Sequence, residues 1–289
     1  MDRVKTIGVV GAGQMGGGIA QVSLLADFAV VLHDREQAIL DTALQAIDRN
    51  LQRLVEKGAL AQADKGTAIL QIRASTDLKA VAECDFVVEA VNERLPLKMQ
   101  IFEALDAGCS PETILASNTS SLSITRIAAS TRRPERVVGM HFMNPVPVMK
   151  LVEVIPGQAT SRATVDDTVA LTLRLGKTPV LSQDLPGFIS NRVLMPMINE
   201  AIFALHEGVG SREDIDTVMT LGMRHPMGPL ALADFIGLDT CLSILEILHQ
   251  GFGDPKYRPC PLLRRLVDAG YLGRKSGRGF YEYTPEGPR

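Results

Sequence analysis

His141 and Glu153 are the two residues whose types and setting most need a chemical explanation. They lie in GMHFMNPVPVMKLVEVI, twelve residues apart, each inside an apolar run that reads as a sheet strand. Burying a glutamate is costly unless it is paired. If the two strands are neighbours, the carboxylate holds one imidazole nitrogen and leaves the other for proton transfer. That arrangement fixes the tautomer, raises basicity and describes a general base or acid. Ser120 lies in the polar cluster Ser117–Ser121, after a strand over 113–117. It either faces a ligand beyond the strand end or caps a helix over 121–128. Asn191 heads a helical stripe continued by Met195, Ile198 and Ile202. Its amide either points into an interdomain cleft or satisfies local backbone.

A second set of residues points to a nucleotide. Gly11-Ala12-Gly13-Gln14-Met15-Gly16 follows an apolar strand (Val4–Val10) and opens a helix over 14–25. Asp34 closes the next strand, Phe28–Leu32. Strand, glycine turn, helix and acid together form the dinucleotide fingerprint. Gly11 makes the tight turn, Gly13 admits a pyrophosphate and Gly16 lets the helix pack on the sheet. The helix N-terminus offers N–H groups to phosphate. Asp34 would accept from ribose hydroxyls and repel a 2′-phosphate, which favours NAD over NADP. The adjacent Arg35 weakens that choice, and FAD proteins share the fingerprint.

These residues need a scaffold. A helix over 36–57 carries Ile39, Ala43, Ile47, Leu51 and Leu54 near a 3.6 period, Gly58 breaks it, and a second helix over 62–70 returns. We read this as a helical hairpin (36–70) projecting from the first domain. Strands follow at 72–75, 86–90, 113–117, 137–142, 148–155 and 178–181, with helices at 97–105 and 161–175. The alternation implies an α/β domain over 1–184 with a mostly parallel sheet. From 185 to 289 no convincing strand remains, and helices at 188–207, 212–221, 229–250 and 260–269 make an all-α domain.

The formal net charge of −3 disfavours a nucleic-acid binder, which would more often be strongly basic. Cys84, Cys109, Cys241 and Cys260 form no C-x-x-C pair and no zinc spacing, so reduced thiols and no metal are expected. No apolar run approaches the length of a membrane span. A strand begins soon after Met1 and leaves no room for a leader peptide. A cytoplasmic protein is expected.

The chain resembles the L-3-hydroxyacyl-CoA dehydrogenases over essentially its whole length. The motifs are GAGQMGGGIA, VVEAVNERLPLK, LASNTSSLSIT, GMHFMNPVPVMKLVEVI, PGFISNRVLMPMINEAI, HPMGPLALADFIGLD and LGRKSGRGFY. The resemblance implies a Rossmann-like domain carrying the inserted hairpin, followed by a helical domain. It implies NAD as cofactor and His141, Glu153, Ser120 and Asn191 as the catalytic group. It also puts Glu93, Lys98, Ser120, Asn144 and Lys275 near the dinucleotide, beside Gly11, Gly13, Gln14, Met15, Gly16 and Asp34. Arg49, Arg53 and Lys57 recur every four residues on the long helix. Alone they read as a solvated face; with the resemblance, Arg53 and Lys57 face the phosphates of coenzyme A, joined by Asn50 where relatives often have Ser. A homodimer through the helical domain is expected, because apolar positions such as Leu230, Leu232 and Phe235 exceed what a small bundle buries. Two other readings remain: a dehydrogenase of a free hydroxy acid or sugar acid, and a non-catalytic dinucleotide-binding structural protein.

Overall fold

The computed structural model describes residues 4–284 and the backbone of 287–288. Eight strands build one sheet: β1 (Thr6–Val10), β2 (Ala29–His33), β3 (Ile72–Ser75), β4 (Phe86–Glu89), β5 (Ile114–Ser117), β6 (Val137–Phe142), β7 (Leu151–Pro156) and β8 (Thr178–Leu181). Their order is β3-β2-β1-β4-β5-β6-β7-β8. The first six strands of the chain are parallel. β7 runs antiparallel to β6, and β8 is parallel to β7. The strands are short, apolar and rich in Val and Ile, as strands covered on both faces must be. The order reverses at β1, between β2 and β4, which opens a crevice at the carboxyl ends of β1 and β4.

Six helices belong to this unit: α1 (Gln14–Leu25), α2 (Gln37–Glu56), α3 (Gln62–Leu70), α4 (Leu95–Gly108), α5 (Ile124–Ala128) and α6 (Arg162–Arg174). The hairpin α2–α3 does not simply project. Leu40, Ala43, Ile47 and Leu51 of α2 are buried in the same core as Leu32 of β2 and Ile19 of α1. The outer face of α2 keeps its basic residues in water. Lys65 of α3 bridges to Asp48 at 2.8 Å and so ties the two hairpin helices together.

Two boundaries differ from the sequence reading. Residues 146–148 form a turn, and β7 begins only at Leu151. Lys177 explains the turn: its buried ammonium donates to the carbonyls of Val146 (2.6 Å) and Met149 (2.7 Å). Ser120 is not a helix cap either. Ser123 caps α5, and Asp184 completes the cap from far along the chain, accepting from Ile124 N (2.9 Å), Thr125 N (2.8 Å) and Ser123 Oγ (3.0 Å).

The chain divides into two units, Met1–Leu185 and Pro186–Arg289. The second contains α7 (Ser190–His206), α8 (Arg212–Thr217), α9 (Pro229–Ile236), α10 (Leu238–Phe252) and α11 (Pro261–Asp268), with a two-residue ladder between Tyr283–Thr284 and Gly287–Pro288. The helix expected over 229–250 is two helices. Gly237, at φ +103, breaks it, a conformation that side chains rarely adopt. Asp216 caps α9 through Leu230 N (2.8 Å) and Ala231 N (2.9 Å) and also accepts from the Tyr281 hydroxyl at 2.9 Å. Asp234 accepts from Phe280 N and Tyr281 N, each at 2.9 Å. These two carboxylates fasten the C-terminal segment to the helices.

Asp184→Ala leaves two first-turn N–H groups of α5 without their carboxylate. It should lower unfolding free energy by about 1–3 kcal/mol, with Asp184→Asn intermediate. Urea denaturation of the two variants beside the wild type measures this.

Candidate active site

His141 and Glu153 face each other across the β6–β7 pair as direct register partners. His141 Nδ1 lies 2.8 Å from Glu153 Oε2, with the side chains 10% and 1% exposed. A carboxylate can only accept, so the proton of this bond belongs to Nδ1. His141 is the penultimate residue of β6. Because β6 runs parallel to β1, β4 and β5, the imidazole lies at the same carboxyl edge as the glycine turn.

The glycine turn has the geometry the fingerprint requires. Gly11 adopts φ +100, and its backbone packs on that of Ala90, which follows β4. A Cβ on Gly16 would lie 1.7 Å from the Gly11 carbonyl oxygen, so no side chain fits there. A Cβ on Gly13 would meet nothing within 4 Å, so that position opens outward. The first turn of α1, beginning at Gln14 and Met15, has no side-chain cap and no acid. Its N–H donors therefore suit a phosphate. Asp34 Oδ2 accepts from Ala12 N at 2.9 Å and Oδ1 from Glu36 N at 3.2 Å. The carboxylate thus holds the turn and keeps lone pairs for ribose hydroxyls. Open space at Gly13, uncapped donors and a fixed acid fit a dinucleotide. Gln14 Nε2 donates to Asn144 Oδ1 at 3.1 Å, which joins the turn to the loop after β6.

Glu93, Lys98 and Ser120 come together at the ends of β4 and β5. Lys98 is 1% exposed, donates to Glu89 Oε1 (2.7 Å) and Val91 O (3.2 Å), and pairs with Glu93 Oε2 at 3.4 Å. Glu93 Oε1 accepts from Thr119 Oγ1, from Ser120 N (2.9 Å) and Oγ (3.3 Å), and from Ser121 N (3.2 Å) and Oγ (3.1 Å). Burial pushes the Glu93 carboxyl up, but the Lys98 charge and these donors outweigh it and hold it below the usual glutamate range. Glu89 escaped the sequence reading. It is fully buried and accepts from Val91 N and Ser117 Oγ, each at 2.7 Å. The signal was there: like Asp34, it is an acid closing an apolar strand. Asn118 was missed as well; its Oδ1 accepts from Phe142 N at 2.8 Å and ties β5 to β6 beside His141.

The remaining candidates lie on other elements. Asn191, 9% exposed, is the second residue of α7, and the stripe it heads (Met195, Ile198, Ile202) belongs to the second unit's own core. Lys275 pairs with Asp239 of α10 at 2.6 Å. Arg49, Arg53 and Lys57 are exposed along α2 and its end. Asn50 turns inward and donates to Gln21 Oε1 of α1 at 3.0 Å, leaving one amide hydrogen to serve elsewhere.

Comparison with known proteins identifies the family of the chain. Residues 6–185 match the family described as 3-hydroxyacyl-CoA dehydrogenase, NAD binding domain, and residues 187–283 match 3-hydroxyacyl-CoA dehydrogenase, C-terminal domain. The chain is 58% identical over 280 residues to a probable 3-hydroxybutyryl-CoA dehydrogenase of Bacillus subtilis, covering 97% of this chain and 98% of that protein. It is 44% identical to human mitochondrial hydroxyacyl-coenzyme A dehydrogenase, covering 97% of this chain and 91% of that one. The crystal structure of (S)-3-hydroxybutyryl-CoA dehydrogenase from Ralstonia eutropha superposes with a TM-score of 0.95 at 49% identity, covering 97% and 99% of the two chains. The glycine turn, the strand-end acids and the His141–Glu153 pair thus belong to a chain of the 3-hydroxyacyl-CoA dehydrogenase family.

Proposed function

We propose that this protein is an NAD-dependent dehydrogenase that oxidises short-chain L-3-hydroxyacyl-CoA, 3-hydroxybutyryl-CoA first among them, to the 3-oxoacyl-CoA, and runs the reverse. The observation that carries the reading is the His141–Glu153 pair, 2.8 Å apart at the edge of the sheet that bears the dinucleotide turn. Bound NAD supplies a hydride acceptor at that edge. His141 Nε2 takes the proton of the substrate hydroxyl, and in reverse returns it to the oxygen. Glu153 keeps the ring oriented through Nδ1 and stabilises the imidazolium that forms. Ser120 and Asn191 donate hydrogen bonds to the reacting oxygen or the acyl group.

The glycine turn with Gln14 and Met15 holds the pyrophosphate, and Asp34 the adenosine ribose. Asn144, Glu93 and Lys275 line the rest of the dinucleotide. Lys98, with its ammonium buried, serves by fixing Glu93. Arg53 and Lys57, with Asn50 behind them, receive the phosphates of coenzyme A. A free hydroxy acid would give this basic stripe no task. A purely structural role would give none to the buried His141–Glu153 pair, whose cost is justified only by a ligand or a proton.

Two finer assignments accompany this reading. We place the protein in the cytoplasm, where its four buried free thiols stay reduced. We also assign it a homodimer through the second unit, whose domain we set at 185–289. The apolar surplus there is only partly where the sequence put it, at Phe235, which is 49% exposed. Leu230 is fully buried in the unit's own core, whereas Val218, Leu221 and Met223 are 55%, 82% and 62% exposed within six residues. Such a cluster is more apolar surface than a monomer ordinarily shows. Sedimentation should give twice the chain mass of 31.2 kDa; a stable monomer sinks the assignment.

NADH absorbance tests the activity. Acetoacetyl-CoA should be reduced with NADH, and free acetoacetate or NADPH should give little turnover. Preferential turnover of free acetoacetate would remove the coenzyme A assignment. His141→Gln should lower kcat by about 10²–10⁴-fold while NADH binding persists. Joint reversal to Arg53→Glu and Lys57→Glu should raise KM for acetoacetyl-CoA by about tenfold or more, with KM for NADH unchanged.

A further inference from the structure

One ammonium serves two carboxylates at the ends of β4 and β5, and the proposed reaction makes no use of the imbalance. Every contact to Glu89 and Glu93 is a donor pointing at the carboxylate. Glu89 receives Val91 N, Ser117 Oγ and Lys98 Nζ. Glu93 receives the hydroxyls of Thr119, Ser120 and Ser121 and the N–H groups of Ser120 and Ser121, with Lys98 on its other oxygen. Donor-only surroundings of this kind belong to anions. Glu89 and Lys98, with side chains 0% and 1% exposed, cancel each other at 2.7 Å. Glu93 stands 3.4 Å from the same ammonium with a third of its side chain exposed. The group as a whole carries one negative charge, on its outer member.

The position of that charge follows from the register. Val10, Glu89 and Ser117 form one row across β1, β4 and β5, so Glu89 lies level with the last residue before the glycine turn. Asn118 reaches across to Phe142, the neighbour of His141. The segment 119–121 that Glu93 gathers therefore lies between the dinucleotide turn and the imidazole. His141 exchanges a proton with a hydroxyl whose own carbon gives up hydride. The nicotinamide must come to this same edge for both transfers to occur on one substrate.

We infer that the uncompensated charge of Glu93, fixed by Lys98 and Glu89, makes the site discriminate between redox states of the dinucleotide, strengthening binding of the oxidised form relative to the reduced form. The inference rests on the function proposed above. The nicotinamide ring is a cation when oxidised; two electrons and one proton, arriving as hydride, make it neutral. The phosphates and riboses are the same in both forms. A fixed carboxylate near the ring therefore changes the ratio of the two affinities, whereas loosened packing weakens both alike.

The test is the dissociation constant for NAD⁺ by calorimetry and for NADH by its fluorescence, which the absence of tryptophan leaves uncluttered. Wild type, Glu93→Gln and Thr119→Val are compared at fixed ionic strength. Glu93→Gln should raise the ratio Kd(NAD⁺)/Kd(NADH) by about tenfold, which is about 30 mV on the bound two-electron couple. Thr119→Val removes a donor without changing charge and should leave the ratio where it was. Equal weakening of both forms in Glu93→Gln, with the ratio unmoved, overturns the inference. If that variant does not fold, the wild type carries the test: the ratio must rise with salt as the charge is screened, and a flat ratio overturns it. Failure of the wild type to bind either form would instead sink the dehydrogenase reading, and the inference with it.

Discussion

Burying Glu153 is the constraint on which the active edge of the sheet depends. Its side chain is 1% exposed and meets the His141 imidazole. A carboxylate in that position tolerates almost no misalignment, because its unsatisfied desolvation would cost several kcal/mol. A one-residue slip between β6 and β7 would send every side chain of β7 to the opposite face. The pairing His141↔Glu153 thus makes register and chemistry the same requirement. It also explains why the parallel run ends here. Only an antiparallel neighbour, brought back by a short loop, places a residue twelve positions on directly opposite His141. That loop carries Asn144, and Lys177 holds it from beneath.

The parts legible in the sequence were those encoded locally. The turn Gly11–Gly16, the strand after it and Asp34 announce themselves by spacing, because each glycine answers a contact within a few residues. The periodic face of α2 was readable for the same reason, although the core adds Leu40 and leaves Ile39 and Leu54 only partly buried. His141 and Glu153 stood out because charge inside an apolar run is expensive wherever it falls.

What escaped was carried by partners distant in the chain. Glu89 has its cation nine residues away and its serine twenty-eight away. Asp184 caps a helix sixty residues earlier. Asp216 and Asp234 look like ordinary helix-surface acids until Tyr281 arrives from the C-terminal segment. Nothing near these aspartates distinguishes them from the solvated acids elsewhere in the chain. The strand expected over 148–155 starts three residues later for a similar reason, since Lys177 takes the carbonyls of Val146 and Met149 into a turn. In the second unit, Gly237 looked like a tolerable glycine within a helix. Only its positive φ makes it a corner.

The two borders of the sheet differ from its centre in one further respect. β3 is four residues long and carries Arg73, whose guanidinium folds back to the carbonyl of Ala80 at 2.9 Å. β8 contains Pro179, opposite Val152. A proline has no N–H to give to a further strand, and a charged side chain is poorly accommodated in a stacked one. Eight strands are therefore a terminus rather than an interruption. Extended segments of other chains therefore gain little purchase on such borders, because the sheet cannot readily be continued at either end.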